Sequence, residues 1–287
     1  MTELLFQLAG STLFLILSGF TIALVTAGFL FRGTAGVRLL QIALPFALFG
    51  VLLSAPPLPR GSLIIWTVFA FLWWAETEFR SRKGLRLSGP FGGLLAAATL
   101  VLVLLELPYL RMPEIASGTT GSVYVVGDSL SAGIGSESHT WPDLLAENTG
   151  LTVANLASPG ARLGDGPGQI REIGDDPNAL IFVLLGGNDL LFRASREDFE
   201  RDFRELLDGL AETERRVVVF ELPIIVGFRH YGRIQRQLAR DYDLPLVPSR
   251  VLAGVLSTED GTSDGIHLTD RGHRNLAERV AGLLVIE

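Results

Sequence analysis

The sequence predicts an all-α membrane region followed by an α/β domain, a three-layer α/β/α sandwich around a doubly wound parallel sheet. Three observations carry this. Long uncharged apolar runs are confined to the first 110 residues. From about residue 121, short apolar strands alternate with helical stretches, the order that builds a parallel sheet covered on both faces. Charge divides at the same place: residues 1–117 hold 8 Lys and Arg against 5 Asp and Glu, net +3, whereas the remainder holds 16 against 26, net −10. The acidic half argues against a nucleic-acid binder, which needs a basic footprint, and against simple electrostatic adhesion to anionic lipid. The chain has no cysteine, so disulfides, thiolate metal sites and a cysteine nucleophile are excluded.

The membrane region is predicted over residues 1–110, with about four helices at 4–31, 37–55, 61–76 and 88–110. Leu4 to Phe31 is uncharged and long enough to cross a bilayer with tilt. Leu39 to Ala55 ends at Pro56-Pro57. Gly61 to Ala75 is short, and its alternative is an interfacial segment with Trp73 and Trp74 at the boundary. Leu87 to Leu105 is uncharged, and Glu106, about one turn from the exit, is expected to reach the headgroups. The loops carrying Arg32 and Arg38, and Arg80, Arg82, Lys83 and Arg86, are expected inside; the intervening loop has only Arg60. Four spans then put both termini, and the domain that follows, outside the cytoplasm. The first run lacks the basic start and short core of a secretory signal.

Residues 111–120 read as a linker and 121–287 as the second domain. Val123 to Val126 is predicted as a buried strand. Pro142 to Asn148 is a helix with Pro in its first turn and Gly150 past its end. Leu151 to Leu156, Leu180 to Leu185 and Val217 to Leu222 are strands, and Leu244 to Val247 a short further one. Ser195 to Asp198 has capping-box spacing and opens a helix to about Thr213. Tyr231 to Asp241 and Thr269 to Leu284 complete the helices.

Four short signals stand beside the strand ends, where open α/β sheets place ligands. Gly127-Asp128-Ser129-Leu130 follows the first strand and Asn155 to Gly160 the second. Gly186-Gly187-Asn188-Asp189 follows the third. Asp264-Gly265-Ile266-His267 precedes the last helix. Singly, each is ordinary turn chemistry; it is their joint order that is specific.

These signals resemble blocks I, II, III and V of the SGNH/GDSL hydrolase family, from Val123 to the C-terminus. Gly-Asp-Ser-Leu-Ser-Ala-Gly around Ser129, with Trp141-Pro142 beyond, is similar to its bacterial esterase/thioesterase/lysophospholipase branch. The resemblance implies a flavodoxin-like sandwich, Ser129 as nucleophile, His267 as base and Asp264 as its orienting carboxylate. It implies an oxyanion hole from the N–H groups of Ser129 and Gly160 and the amide of Asn188. The chemistry of these residue types agrees. A serine hydroxyl needs a base to become a nucleophile, and imidazole can take its proton and pass it to the leaving group. A carboxylate three residues before the histidine can fix the ring's tautomer.

The nucleophile-elbow pattern of other serine hydrolases does not fit, because Ser131 stands where its second glycine belongs. Asp128 and Asp189 read as loop-shaping residues, His273 as structural, and His139 and His230 as surface or loop residues. The expected activity is hydrolysis of acyl or acetyl esters by a membrane-anchored extracytoplasmic esterase. Acyl transfer to a cell-envelope glycan and a non-catalytic membrane sensor or binding module are the alternatives. The expected partners are an ester substrate (small molecule, envelope glycan or lipid) and the bilayer, with no cofactor, metal or nucleic acid. Pocket depth is expected to be set by Leu190–Ser195 and Ile224–His230.

Overall fold

In the computed structural model, residues 11–30, 34–116, 122–211, 215–224 and 227–285 are described. The expected start of the first span, Arg32 and most of the second half of the linker lie outside them. The described backbone divides into two compact units, residues 11–110 and residues 111–285.

The first unit contains four helices among the described residues: α1 (Ser11–Leu30), α2 (Thr34–Ser54), α3 (Ser62–Arg82) and α4 (Pro90–Glu106). By length and composition, Thr12–Leu30 and Pro90–Leu110 can cross a bilayer, while the apolar stretch Ala43–Ser54 of α2 is shorter. Helix α3 is longer than its apolar run implies, because Glu76, Glu78 and Arg80 continue the same helix into a polar final turn. Polar side chains tie these helices together. The indole of Trp66 donates to Thr99 Oγ1 (2.8 Å), that of Trp73 to Ser88 Oγ (3.0 Å), and Ser88 Oγ to the Val25 carbonyl (2.8 Å). Glu76 accepts from the N–H groups of Gly89 and Gly92 at the start of α4. Contrary to the expectation that it reaches the headgroups, Glu106 is fully buried. It falls on the inward stripe of Leu95, Thr99 and Leu102, so helical periodicity turns it toward the bundle.

The second unit is built on a five-stranded sheet of β2 (Val123–Gly127), β3 (Val153–Asn155), β4 (Leu180–Leu184), β5 (Arg216–Phe220) and β6 (Leu246–Val247), after a short β1 (Ile115–Ala116). All pairings are parallel and the order is β3-β2-β4-β5-β6. Strand β4 is buried throughout and β2 nearly so, as strands covered on both faces must be. The chain leaves β2 toward β3 on one side and returns to β4 on the other. The crevice where strand order reverses therefore lies between the C-terminal ends of β2 and β4. The edge rings of Trp141, Phe182 and Phe220 pack within 6.1–6.3 Å of one another in the core.

The connecting helices are α5 (Ser129–Ala132), α6 (Trp141–Thr149), α7 (Gly166–Arg171), α8 (Gly187–Leu191), α9 (Arg196–Ala211), α10 (Arg229–Asp241), α11 (Ser249–Leu256) and α12 (Asp270–Ala281). The expected capping box opens α9: Ser195 Oγ accepts from the Asp198 N–H and donates to its carboxylate. Helices α7 and α11 were not legible in the sequence. The closing helix stops at Ala281 because Leu284 and Val285 form β7, which pairs with Ile115 and Ala116.

Candidate active site

Sequence order brings two of the signals directly to the crevice. Strand β2 runs directly into Asp128 and Ser129, and β4 into Gly186 to Asp189. The end of β2 is clamped by Gln169, which accepts from the Gly127 N–H and donates to the Gly127 carbonyl, both at 2.9 Å. A side chain at Gly127 would meet Ser131 Oγ at 2.7 Å, so glycine leaves room for Ser131 to pack against the end of β2. Gly186 has φ +102°, and its backbone turns the chain from β4 into α8, placing Asn188 one residue inside that helix.

A cavity of about 570 Å³ opens at this edge. Ser129, Asn188 and His267 line it together with Asp128, Gly187 and a wall of apolar side chains. Ser129 is 9% exposed. Asn188 Nδ2 donates to the Ala161 carbonyl at 2.9 Å, which fixes the plane of the amide and leaves its second hydrogen available. Gly160, with φ +79°, precedes Ala161 and does not itself line the cavity. Among the described residues, neither the Ser129 nor the Gly160 N–H donates to a protein group.

His267 and Asp264 form a closed unit. The ring Nδ1 lies 2.6 Å from Asp264 Oδ2, while Oδ1 accepts from the N–H groups of Ile266 and His267. Partial burial raises this carboxyl, but the His267 backbone and ring, the Ile266 N–H and the imidazole's charge outweigh it and hold Asp264 at about 2. A carboxylate so placed directs the other ring nitrogen, Nε2, away from itself.

Asp128 lies in the opposite environment. Burial pushes it up to about 6, with help from nearby Asp189 and against the Leu130 N–H it accepts and the proximity of His267. Asp189 is also pushed up by burial and accepts from the Leu163 N–H at 3.0 Å. Both acids therefore tie loops together, Asp128 as the cap of α5 and Asp189 as the link to the turn after β3. His273 is fully buried and its Nδ1 accepts from the Trp141 N–H, a structural contact. His139 is exposed in a loop, whereas His230 sits in the first turn of α10, half-buried against Tyr231.

The cavity wall draws on both loops expected to set its depth, through Leu190, Leu191, Phe192, Arg193 and Phe228. Ile225 and Val226 of the second loop lie outside the described residues. Leu222 and Pro223, at the end of β5, and Leu256, at the end of α11, also line it and were missed. The strand-end rule could have found the first two; Leu256 belongs to a helix the sequence pattern did not disclose.

The model of the GDSL-like Lipase/Acylhydrolase family matches residues 125–274. Thioesterase 1/protease 1/lysophospholipase L1 of Escherichia coli strain K12 is 29% identical over 155 residues, which is 51% of this chain and 74% of that protein. Among solved structures, one named TesA has a TM-score of 0.50 at 23% identity, covering 57% of this chain and 97% of that one. The psychrotrophic esterase EstA of Pseudoalteromonas sp., inhibited by monoethylphosphonate, has a TM-score of 0.51 at 16% identity, covering 56% and 94%. At these identities the two structures show the fold alone.

Proposed function

The chain belongs to the GDSL-like lipase/acylhydrolase family, the esterase family also written SGNH, and from that premise we propose a serine esterase that cleaves esters of apolar acyl chains through an acyl-Ser129 intermediate. The observation that carries the reading is the His267–Asp264 pair, 2.6 Å apart, on the wall of the cavity that also holds Ser129 and Asn188. Ser129 Oγ attacks the carbonyl carbon as His267 Nε2 takes its proton. The tetrahedral oxyanion is held by the N–H groups of Ser129 and Gly160 and by the free amide hydrogen of Asn188. The ester C–O bond then breaks, and the alcohol leaves with the proton from His267. A water molecule, deprotonated by the same imidazole, attacks the acyl carbon, and the acid is released with Ser129 restored.

The apolar wall supports an acyl chain longer than acetyl. Each methylene buried contributes about 0.8 kcal/mol, roughly a fourfold gain in kcat/KM while chain and wall stay in contact. The test is a chain-length profile from acetate to laurate on p-nitrophenyl esters with the full chain in detergent. A profile that falls steadily from acetate overturns the acyl-chain assignment. Transfer to a sugar hydroxyl would use the same acyl-serine, and product analysis with a competing sugar separates it from hydrolysis.

The domains follow as 1–110, an anchoring membrane region, 111–120, a linker, and 121–287, the hydrolase. The excess of Arg and Lys within residues 32–38 and 80–86, against Arg60 alone between them, supports a hydrolase outside the cytoplasm. The lipid bilayer, through the first region, and an acyl ester are the partners this reading assigns.

A further inference from the structure

Ser129 and His267 both line the cavity, yet among the described residues they are not hydrogen-bonded to each other. Their separation is therefore governed by the segments that carry them. The base stands just before α12, and its loop is fastened to the start of that helix. The Ser263 N–H donates to the His267 carbonyl at 2.9 Å, Leu268 is buried, and Thr269 caps α12 by accepting from the Gly272 N–H at 3.2 Å. The nucleophile opens α5, and residues 133–140 lead on from it to α6.

Helix α12 holds that segment at two points. Asp270, its first residue, accepts from the Ser138 N–H at 2.8 Å and from the Ser138 hydroxyl at 3.2 Å. One turn on, His273 Nδ1 accepts from the Trp141 N–H at 3.0 Å. The Trp141 indole in turn donates at 3.1 Å to Ser131 Oγ, within the same short helix as the nucleophile, and the Ser131 carbonyl accepts from Asn155 Nδ2 at 2.8 Å. Glu137 Oε2 stiffens the segment by gathering the N–H groups of Ile134, Gly135 and Ser136 at 2.9–3.1 Å. Because Nδ1 accepts, the His273 ring is neutral and carries its proton on Nε2. That nitrogen is buried with no partner among the described residues. An unpaired buried donor costs stability, so what the polar atoms of this fully buried ring contribute is the acceptor offered to Trp141.

We propose that His273, supported by Asp270, is a positioning residue: by tying the segment behind Ser129 to the helix behind His267, it sets the line along which the imidazole Nε2 meets the serine Oγ. The inference rests on the esterase reading and adds to it the device that aligns base and nucleophile. Proton transfer needs the two heavy atoms about 2.6–3.2 Å apart, and a misplacement of about 1 Å can cost on the order of 10²-fold in rate. A slackened clamp lowers kcat and leaves KM in place, because neither His273 nor Asp270 lines the cavity.

The test uses the full chain in neutral detergent, with p-nitrophenyl butyrate as substrate and thermal unfolding measured alongside. His273→Leu removes the acceptor and should lower kcat by on the order of 10²-fold with KM nearly unchanged. His273→Asn puts an oxygen where Nδ1 stood and should recover most of that loss, a rescue that follows the acceptor rather than the packing. Asp270→Ala should cost about tenfold and Asp270→Asn should restore it, since the amide oxygen still accepts from Ser138. On a His267→Ala background, His273→Leu should cost nothing further, because no base is left to place. The control is Leu210→Ala, a buried residue in the last turn of α9, just before β5 and so at the opposite end of the sheet from the site. It should lower Tm and leave kcat near that of wild type. A folded His273→Leu enzyme within about threefold of wild type, a kcat loss that Leu210→Ala reproduces at equal Tm, or a loss that asparagine fails to recover overturns the proposal. Should His273→Leu not fold, the two Asp270 variants decide it by the same measures. Ester cleavage that survives in Ser129→Ala would refute the esterase reading itself, whereas Ser129-dependent cleavage indifferent to these variants refutes only the clamp.

Discussion

Asn188 offers the sharpest check of the catalytic geometry. Its Nδ2 carries two hydrogens, and one is committed to the Ala161 carbonyl at 2.9 Å. Only the other can serve an oxyanion in the cavity that Asn188 lines. Asn188→Ala removes both. The loss of a preorganised oxyanion donor costs about 2.7–4 kcal/mol in the transition state, a fall of roughly 10²–10³-fold in kcat. The loss of the Ala161 bond costs about 1 kcal/mol of stability, too little to unfold a domain with so large a buried core. Because the donor acts on charge that develops only in the transition state, KM should hardly move. Asn188→Asp should be worse than alanine. A carboxylate has no hydrogen for Ala161 and would set negative charge against the oxyanion. Initial rates on p-nitrophenyl butyrate, with thermal unfolding as a control, decide the matter. Activity of Asn188→Ala within threefold of wild type, or a loss confined to KM, would refute the assignment.

Ser129→Ala and His267→Ala should each lower turnover by several orders of magnitude, and the double variant should be little worse, because the two act as a unit. More than a few per cent of activity left in Ser129→Ala sinks the acyl-serine route. Asp264→Ala should cost on the order of 10³–10⁴-fold in kcat across the whole pH range, since this carboxyl, held at about 2, does not titrate where the enzyme is assayed; a loss confined to one side of neutrality would contradict it. Asp128→Asn should stabilise the fold at pH 8 by on the order of 2–3 kcal/mol and leave it unchanged near pH 4. The buried carboxyl, raised to about 6 when folded, ionises in the unfolded chain first, so its favourable contribution is complete below about pH 4 and is lost as pH rises through 6. Denaturant unfolding at several pH values reads this directly. A reporter fused to the C-terminus should be active only in the extracytoplasmic form; activity of a cytoplasm-only reporter would reverse the orientation.

The sheet was legible because its strands are short apolar runs with no competing helical period. Val123 to Val126 and Leu180 to Leu185 read as covered strands from their length and β-branched and aromatic content. Helices α7 and α11 were not legible for opposite reasons. Gly166-Pro167-Gly168 weakens the first as a helical sequence, and the second is eight residues, apolar, and follows a proline that reads as a turn. Two-residue strands such as β1 and β7 leave no periodic trace; their pairing is a tertiary fact. Ser129 and Asn188 stand just past strand ends, where a rule of topology draws attention to them, whereas His267, in the loop before the closing helix, was singled out by the joint order of the four signals. The cavity walls were not, because Leu222 and Leu256 look like any core leucine until distant elements converge.

Three aspartates stand near one serine, and environment separates them. Asp264 is ringed by N–H donors and an imidazole, so it stays ionised and can stabilise an imidazolium. Asp128 adjoins the serine in sequence but is buried beside Asp189, and the two carboxyls oppose each other's ionisation. If Asp128 were the orienting carboxylate, a residue raised to about 6 would have to remain charged while the histidine it serves gains a proton. The Leu130 N–H it accepts needs only an acceptor oxygen, and a protonated carboxyl supplies that as well as an ionised one. The division of labour therefore follows solvation rather than sequence proximity: the distant acid in the more open loop carries charge, and the adjacent buried one shapes the turn. That is why Asp128→Asn is expected to be tolerated where Asp264→Ala is not.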